Sequence, residues 1–128
     1  MLRWVVLFVL LTPVTVNAQK ENWATATPET RAQQLTVWMK TELQLTVDQE
    51  PQVKSINLKY AQKAEILKAN KDSNRTKLRE LRSNDDAKDK ELKHVLTPDQ
   101  FEHYRSIKRS KQKAILKAMQ EQHNQNQN

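Results

Sequence analysis

The chain has 128 residues, of which 22 are Lys or Arg and 15 are Asp or Glu, so its formal net charge is +7. The absence of Cys excludes a disulfide framework, and the absence of Gly excludes Gly-rich phosphate loops and leaves turns with positive φ to Asn or Asp. Basic and acidic residues are interspersed as on solvated helix faces, with no basic block of the kind that binds nucleic acid.

Residues 1–18 predict a secretory signal peptide. Arg3 supplies the positive start, an unbroken apolar run covers residues 4–11, and small residues precede Ala18. We therefore expect an exported, soluble mature chain that begins at Gln19 and forms one small domain. A retained membrane anchor is the alternative, although the apolar run is short for a bilayer span.

Residues 19–26 predict a disordered leader, in which Trp23 has no evident role. Thr27, Pro28 and Glu29 then form a helix start, so a first helix is expected from Pro28 to about Leu43. Apolar side chains recur along this helix at three- and four-residue spacing and predict one buried face. The face consists of Ala32, Leu35, Trp38, Met39 and Leu43.

The pattern Leu-Thr-x-x-Gln occurs twice, at residues 45–49 and 96–100. Each copy predicts a capping box, in which the Thr hydroxyl accepts from the backbone N–H three residues on and the Gln reaches back to the Thr N–H. Pro98 occupies the first helical position of the second copy, where its missing N–H is harmless. We expect two tight corners between helices, with Leu45, Thr46, Gln49, Leu96, Thr97 and Gln100 as structural residues.

The segment between the motifs predicts two long helices joined by a loop at residues 70–74, where four of five residues favour caps and turns. The second helix is expected to start after Thr46, with Pro51 bending its first turn. The third is expected over residues 74–96, and a break at residues 83–86 is the alternative because helix propensity there is low. Equal arms of about 34 Å would bring both motifs to one end of the molecule. The predicted core stripes are Val53, Ile56, Tyr60, Ala64 and Leu67, followed by Leu78, Leu81, Asp85, Lys88, Leu92 and Val95.

The fourth helix is predicted from Pro98 to about Gln122, followed by a low-complexity, disordered tail at residues 123–128. Its apolar positions are Phe101, Tyr104, Ile107, Ile115, Ala118 and Met119. Lysines interrupt this series in the middle, so the helix is expected to be only partly covered by its neighbours. The whole domain, residues 27–122, is predicted to be an all-α, four-helix antiparallel hairpin or bundle.

With its two motifs, the chain resembles the Spy/CpxP family of small periplasmic helical proteins, whose hallmark is a repeated LTxxQ motif. The resemblance covers roughly residues 27–119 and is greatest for the shorter members of that family. It implies a periplasmic location, a homodimer formed through the long helices, and a shallow helical cradle. The spacing of 51 residues between the motif threonines is shorter than expected for Spy, so the implied cradle is smaller. An unrelated helical bundle with two well-capped helices is the alternative.

The sequence contains no recognisable set of catalytic residues. There is no Cys nucleophile and no Gly-x-Ser-x-Gly turn, and the carboxylates mostly have Lys or Arg neighbours. His94 and His103 flank the second motif, but two His without a third ligand make a poor zinc site. We therefore expect no enzymatic activity, no cofactor and no metal.

Amphipathic helices with apolar side chains beside Lys and Arg predict a surface that holds apolar, acidic segments of other proteins. The family resemblance implies the same use, as an ATP-independent chaperone for unfolded or partly folded proteins. The candidate client-binding residues lie off or at the edges of the predicted stripes, where a dimer interface is an equal possibility: Ile66, Ile107, Lys108, Lys111 and Met119. The alternative function is a CpxP-like regulatory or metal-responsive subunit that binds the periplasmic domain of an envelope-stress sensor kinase, and a purely structural helical protein is a third.

Overall fold

The structure, a computed structural model, describes residues 26–126 as four α-helices without a strand. These are α1 (Pro28–Leu43), α2 (Gln49–Ala69), α3 (Asn74–Val95) and α4 (Pro98–Gln125). The all-α prediction is confirmed for this part of the chain. The predicted signal peptide, the mature start at Gln19 and Trp23 lie outside the described residues.

The first helix begins and ends at the predicted residues. The Thr27 side chain accepts from the Thr30 N–H, and Pro28 occupies the first turn. Beyond the last turn, Gln44 adopts φ 52°, in the left-handed region that usually favours Gly or Asn. The expectation that Asn or Asp would take this role is therefore wrong: the chain reverses immediately before the first motif, and the residue there is Gln.

The second helix begins after Thr46, as predicted, but not immediately after it. A turn at residues 47–48 separates Thr46 from α2, which starts at Gln49. Pro51 consequently lies in the first turn of the helix, the part of a helix in which Pro is best tolerated.

The third helix is continuous from Asn74 to Val95, so the continuous interpretation is confirmed and the alternative break at residues 83–86 is wrong. Ser73 caps its start by accepting from the Thr76 N–H. In the low-propensity stretch, the Asp85 carboxylate accepts from the Lys108 ammonium of α4 at 2.5 Å. Tertiary contact thus outweighs local propensity at this point.

The fourth helix extends to Gln125, so residues 123–125 are helical and are not part of a disordered tail. Extending a helix that has already formed is easier than starting one, and Gln is a good helix former. Residues 127–128 lie outside the described part of the chain.

The hydrophobic core lies near the two motifs. α1 packs on α2, α2 packs on α3, and α4 packs on α1 and α3. The antiparallel arrangement of α1 and α2 is shown by ion pairs at opposite ends, Arg31–Glu65 at 2.7 Å and Lys40–Glu50 at 3.0 Å. None of the four described helices combines the length and apolarity that a membrane span requires. The core comprises Met39, Leu43, Leu45, Val53, Ile56, Tyr60, Leu92, Leu96 and Tyr104.

Candidate functional site

Both Leu-Thr-x-x-Gln motifs carry reciprocal hydrogen bonds. The Gln100 N–H donates to Thr97 Oγ1 at 3.2 Å, and the Thr97 N–H donates to Gln100 Oε1 at 2.9 Å. The equivalent bonds between Gln49 and Thr46 measure 3.2 and 3.0 Å. The two copies differ in how their helix begins: Thr97 is the N-cap of α4, whereas the turn at residues 47–48 separates Thr46 from α2.

The two motif glutamines are also bonded to each other. Gln49 Nε2 donates to Gln100 Oε1 at 2.7 Å, and Gln100 Nε2 donates to Gln49 Oε1 at 3.0 Å. The second N–H of each amide reaches a backbone carbonyl, Val95 O for Gln49 and Leu43 O for Gln100, both at 3.1 Å. We call Thr46, Gln49, Thr97 and Gln100 the motif junction.

The junction gives a physical reason for Gln at the last motif position. Leu43 and Val95 are the last residues of α1 and α3, and the terminal carbonyls of a helix lack partners within it. Each Gln therefore caps the start of its own motif and the end of the helix that precedes the other motif. Leu45 and Leu96, the first residues of the motifs, are buried in the core beneath. The hydrogen bonds of the junction thus join the starts of α2 and α4 to the ends of α3 and α1.

Lys108, a predicted client-binding residue, is engaged within the molecule. Its ammonium donates to Asp85 at 2.5 Å and to Asp89 at 2.9 Å, while the Tyr104 hydroxyl donates to Asp89 at 3.0 Å. Burial lowers the pKa of Lys108, but the hydrogen bonds to Asp85 and Asp89 outweigh it and raise that pKa above its ordinary value. Burial, with the nearby Asp89 charge, raises the pKa of Tyr104. Both groups therefore remain protonated at neutral pH and join α4 to α3.

Lys111 is also held by a neighbouring helix. Its ammonium lies 4.1 Å from the centre of the Trp38 ring on α1, within the range of a cation–π contact. Trp38 is half-buried and packs against the core. The positive charge of Lys111 remains at the surface, so this residue could still meet an acidic partner.

The apolar candidates differ in exposure. Ile66 and Met119 are 70% and 61% exposed, whereas Ile107 is half-buried. Sequence reasoning missed Leu116, which is 61% exposed beside Met119. The signal for Leu116 was present in its spacing, three residues before Met119 and therefore on the same helix face. Five further large apolar side chains are exposed and were not chosen as candidates: Val37, Val47, Leu78, Leu81 and Ile115.

Most of these exposed side chains belong to two segments. The first, residues 66–82, joins the end of α2 to the start of α3, and we call it the hairpin tip. The second, residues 109–126, is the exposed C-terminal part of α4 with its capping residue Asn126, and we call it the basic arm. The tip has six basic and two acidic residues, and the arm has four basic residues and one acidic residue. Each segment therefore combines exposed apolar groups with excess positive charge.

The two candidate histidines are exposed near the second motif. His103 Nε2 lies 4.0 Å from the Glu42 carboxylate on α1, and His94 lies in the last turn of α3. In the part of the chain that the structure describes, no group of three or more His, Asp or Glu residues is placed to hold a metal ion.

Comparison with known proteins identifies one family. The model of the family described as "Domain of unknown function (DUF4890)" matches residues 17–104. The match includes both motifs and the first quarter of α4. No curated protein and no solved structure matches the chain.

Proposed function

We propose that this chain, which belongs to the DUF4890 family of unknown function, is an ATP-independent chaperone that binds unfolded or partly folded proteins. One observation carries the proposal. The basic arm keeps Ile115, Leu116 and Met119 between 55% and 61% exposed in a segment with four basic residues and one acidic residue.

The apolar part of this surface supplies the binding energy. Burying apolar surface contributes about 25 cal/mol per Å², so covering a few such side chains gives a weak, reversible interaction with any apolar segment. The hairpin tip adds Ile66, Leu78 and Leu81, each exposed by 41% or more. Because this binding energy depends on apolar area alone, the two segments would bind many unfolded chains without requiring a particular sequence.

The charges favour capture and solubility. Lys113 and Lys117 flank the apolar side chains of the arm, and an excess of positive charge attracts acidic, unfolded segments from solution. The absence of Gly in the chain excludes a Gly-rich nucleotide loop, in keeping with binding that needs no ATP.

The resemblance to Spy/CpxP proteins and the predicted signal peptide support the remainder of the proposal. We propose that the mature chain works in the periplasm as a homodimer of long helices. Regulation of an envelope-stress sensor kinase is the alternative that the resemblance also allows.

The test is the double change Leu116→Ser and Met119→Ser, assayed for suppression of client aggregation without ATP. We expect the protection to be lost while the melting temperature is unchanged, because neither side chain contributes to the core. The matched control is Val47→Ser, which removes a single side chain that is 88% exposed and lies outside both segments. This control should protect clients as well as the unmodified chain does.

Native mass measured on the same samples separates the outcomes. A shift from dimer to monomer in the double variant would assign the arm to a dimer interface. If the unmodified protein gives no protection at several-fold molar excess over diverse clients, the chaperone proposal is wrong. Specific binding to a sensor domain would then favour the regulatory alternative.

A further inference from the structure

A cavity of about 240 Å³ opens between α1, α2 and α3, away from the basic arm. Its walls are mainly apolar, with Leu35 from α1 and Tyr60, Ala61 and Ala64 from α2. Two polar residues in the wall have a group without a partner among residues 26–126: Asn57 has an unpaired acceptor, and Lys88 makes no ion pair. A space of this size exceeds one water molecule several-fold, so it can hold a small organic group.

Asn57 is the first of these residues. It is 2% exposed, and its Nδ2 donates to Thr36 Oγ1 at 3.1 Å and contacts Met39 Sδ at 3.5 Å. Its Oδ1 is buried and accepts no hydrogen bond from any residue within 26–126. Turning the amide over would sacrifice the contacts of Nδ2. A buried acceptor without a donor is costly, so a ligand that donated to Oδ1 from the cavity would remove this cost.

Lys88 is the second residue. It lies on α3 and makes no ion pair with residues 26–126. The other charged residues of the cavity wall are already paired, Arg31 with Glu65 and Asp85 with Lys108. Burial lowers the pKa of Lys88, although the charge of Asp85 opposes this effect. Lys88 is therefore a poorly solvated cation at an apolar cavity, and an anion would stabilise its charged form.

We propose that this cavity binds a small carboxylic acid that carries an apolar body and one N–H or O–H donor. The carboxylate pairs with Lys88, the apolar body packs against Leu35, Ala61 and Ala64, and the donor reaches Asn57. This proposal is independent of the chaperone function.

The chemistry of the walls selects this class of ligand. A single unpaired ammonium matches one negative charge, whereas phosphate esters usually require several charge-assisted donors or a helix N-terminus. A cationic ligand would be repelled by Lys88. Two sources supply the required group, a free N-acylated amino acid or the C-terminal residue of a peptide, since both combine a carboxylate, an amide N–H and an apolar side chain.

The experiment is calorimetric titration of the full mature chain with N-acetyl-leucine and with its uncharged amide. We expect the acid to bind in the millimolar range or tighter and the amide to bind at least about tenfold more weakly, because the amide leaves Lys88 unpaired. Lys88→Met should weaken binding of the acid to the same degree. The matched control, Lys90→Met, changes an exposed lysine on the same helix and should leave the affinity unchanged.

The melting temperature of Lys88→Met shows whether that variant has a structural defect. Lys88→Arg restores the positive charge and should therefore restore binding of the acid. In NMR spectra, N-acetyl-leucine should shift the side-chain amide signals of Asn57.

A peptide that ends in Leu with a free carboxylate identifies the source of the ligand. Tighter binding of the peptide than of N-acetyl-leucine indicates a chain terminus, and equal or weaker binding indicates a free acid. Equal binding of the acid and the amide, or no binding of the acid at millimolar concentration, would overturn the proposal and leave a cavity that holds water.

Discussion

The motif junction differs from the hairpin tip and the basic arm in how far its side chains are buried and hydrogen-bonded. In the motif junction, every donor and acceptor of the two glutamine side chains forms a hydrogen bond. The junction lies over a core in which Met39, Val53 and Leu92 are fully buried. Away from the junction, the hairpin tip and the basic arm expose apolar side chains among positive charges. α3 contributes both to the junction and to the hairpin tip, and α4 contributes both to the junction and to the basic arm, so the difference arises along each helix.

This difference shows how a small chain can expose apolar side chains for binding and still keep a stable fold. The first half of α4 contains Tyr104 and Lys108, which join it to α3, and the second half contains Leu116 and Met119, which contact solvent. Stability and binding should therefore respond to different substitutions. Single substitutions test that separation, and the largest effect is expected in the core.

Truncating the same residue type at the two ends of α3 should show the contrast most clearly. Leu92→Ala removes a side chain that is 0% exposed and should lower the free energy of unfolding by about 2–5 kcal/mol, because a cavity remains in the core. Leu78→Ala removes one that is 50% exposed and should cost about 0.5 kcal/mol or less. Urea unfolding of both variants measures the difference. Similar losses would mean that the hairpin tip is covered in solution.

Breaking the glutamine pair should have the next largest effect. Gln49→Ala and Gln100→Ala each leave a helix-terminal carbonyl and the opposite amide without a partner, which we expect to cost about 1–3 kcal/mol. Because the two side chains bond to each other, the double variant should lose less than the sum of the single losses, with a coupling of about 0.5–3 kcal/mol.

The matched control for this cycle is Gln112→Ala, on an exposed turn of the basic arm, paired with Gln49→Ala. That pair should be additive because the two residues share no contact. Additivity between Gln49 and Gln100 would show that the amide pair is not formed in solution.

The sequence predicted the helices well because their start signals are local. Thr27 with Pro28 and Thr97 with Pro98 placed the starts of α1 and α4 correctly, since caps depend on neighbouring residues. The amide pair between Gln49 and Gln100 was not foreseen. It depends on the relative position of two segments 51 residues apart, which no local pattern specifies.

The candidate surface was harder to predict than the helices. Lys108 was predicted to bind clients, but the structure pairs it with Asp85 and Asp89 of the neighbouring helix α3. Leu78 and Leu81 were assigned to a core stripe, yet they are 50% and 41% exposed. Periodicity identifies an apolar face but does not show how far a neighbouring helix extends along it.

Removing the motif hydroxyls should have a moderate effect. Thr46→Ala and Thr97→Ala should each lower stability by about 0.5–2 kcal/mol, the usual range for the loss of an N-cap. We expect Thr97→Ala to have the larger effect because Thr97 directly caps α4, whereas a turn separates Thr46 from α2. Thermal melts measure both changes. No loss for either variant would contradict the capping role of the motifs.

The smallest expected effect concerns pH and the Glu91 carboxylate, which joins α3 to α2. It accepts from Lys59 at 2.5 Å and from the Tyr60 hydroxyl at 2.8 Å, and these two bonds lower the pKa of Glu91 below its ordinary value of 4.5. A carboxylate whose pKa is lower in the folded state stabilises the fold above the unfolded pKa and loses this contribution as the pH falls through the folded pKa. The stabilisation should therefore be complete at neutral pH and decline below about pH 4.5.

The measurement compares melting temperatures of the unmodified chain and Glu91→Gln across this range. The variant should melt at a lower temperature at neutral pH, and the gap should close as the solution is acidified, because protonation of Glu91 in the unmodified chain removes the same charge. The matched control is Glu121→Gln on the basic arm, whose only ion pair within residues 26–126 is a contact with Lys117 at 4.0 Å in the same helix. That variant should follow the unmodified chain at every pH, since the charge it removes contributes nothing to the packing of one helix on another. A gap for Glu91→Gln that stays constant down to strongly acidic pH would mean that the side chain stabilises the fold through packing and not through its charge.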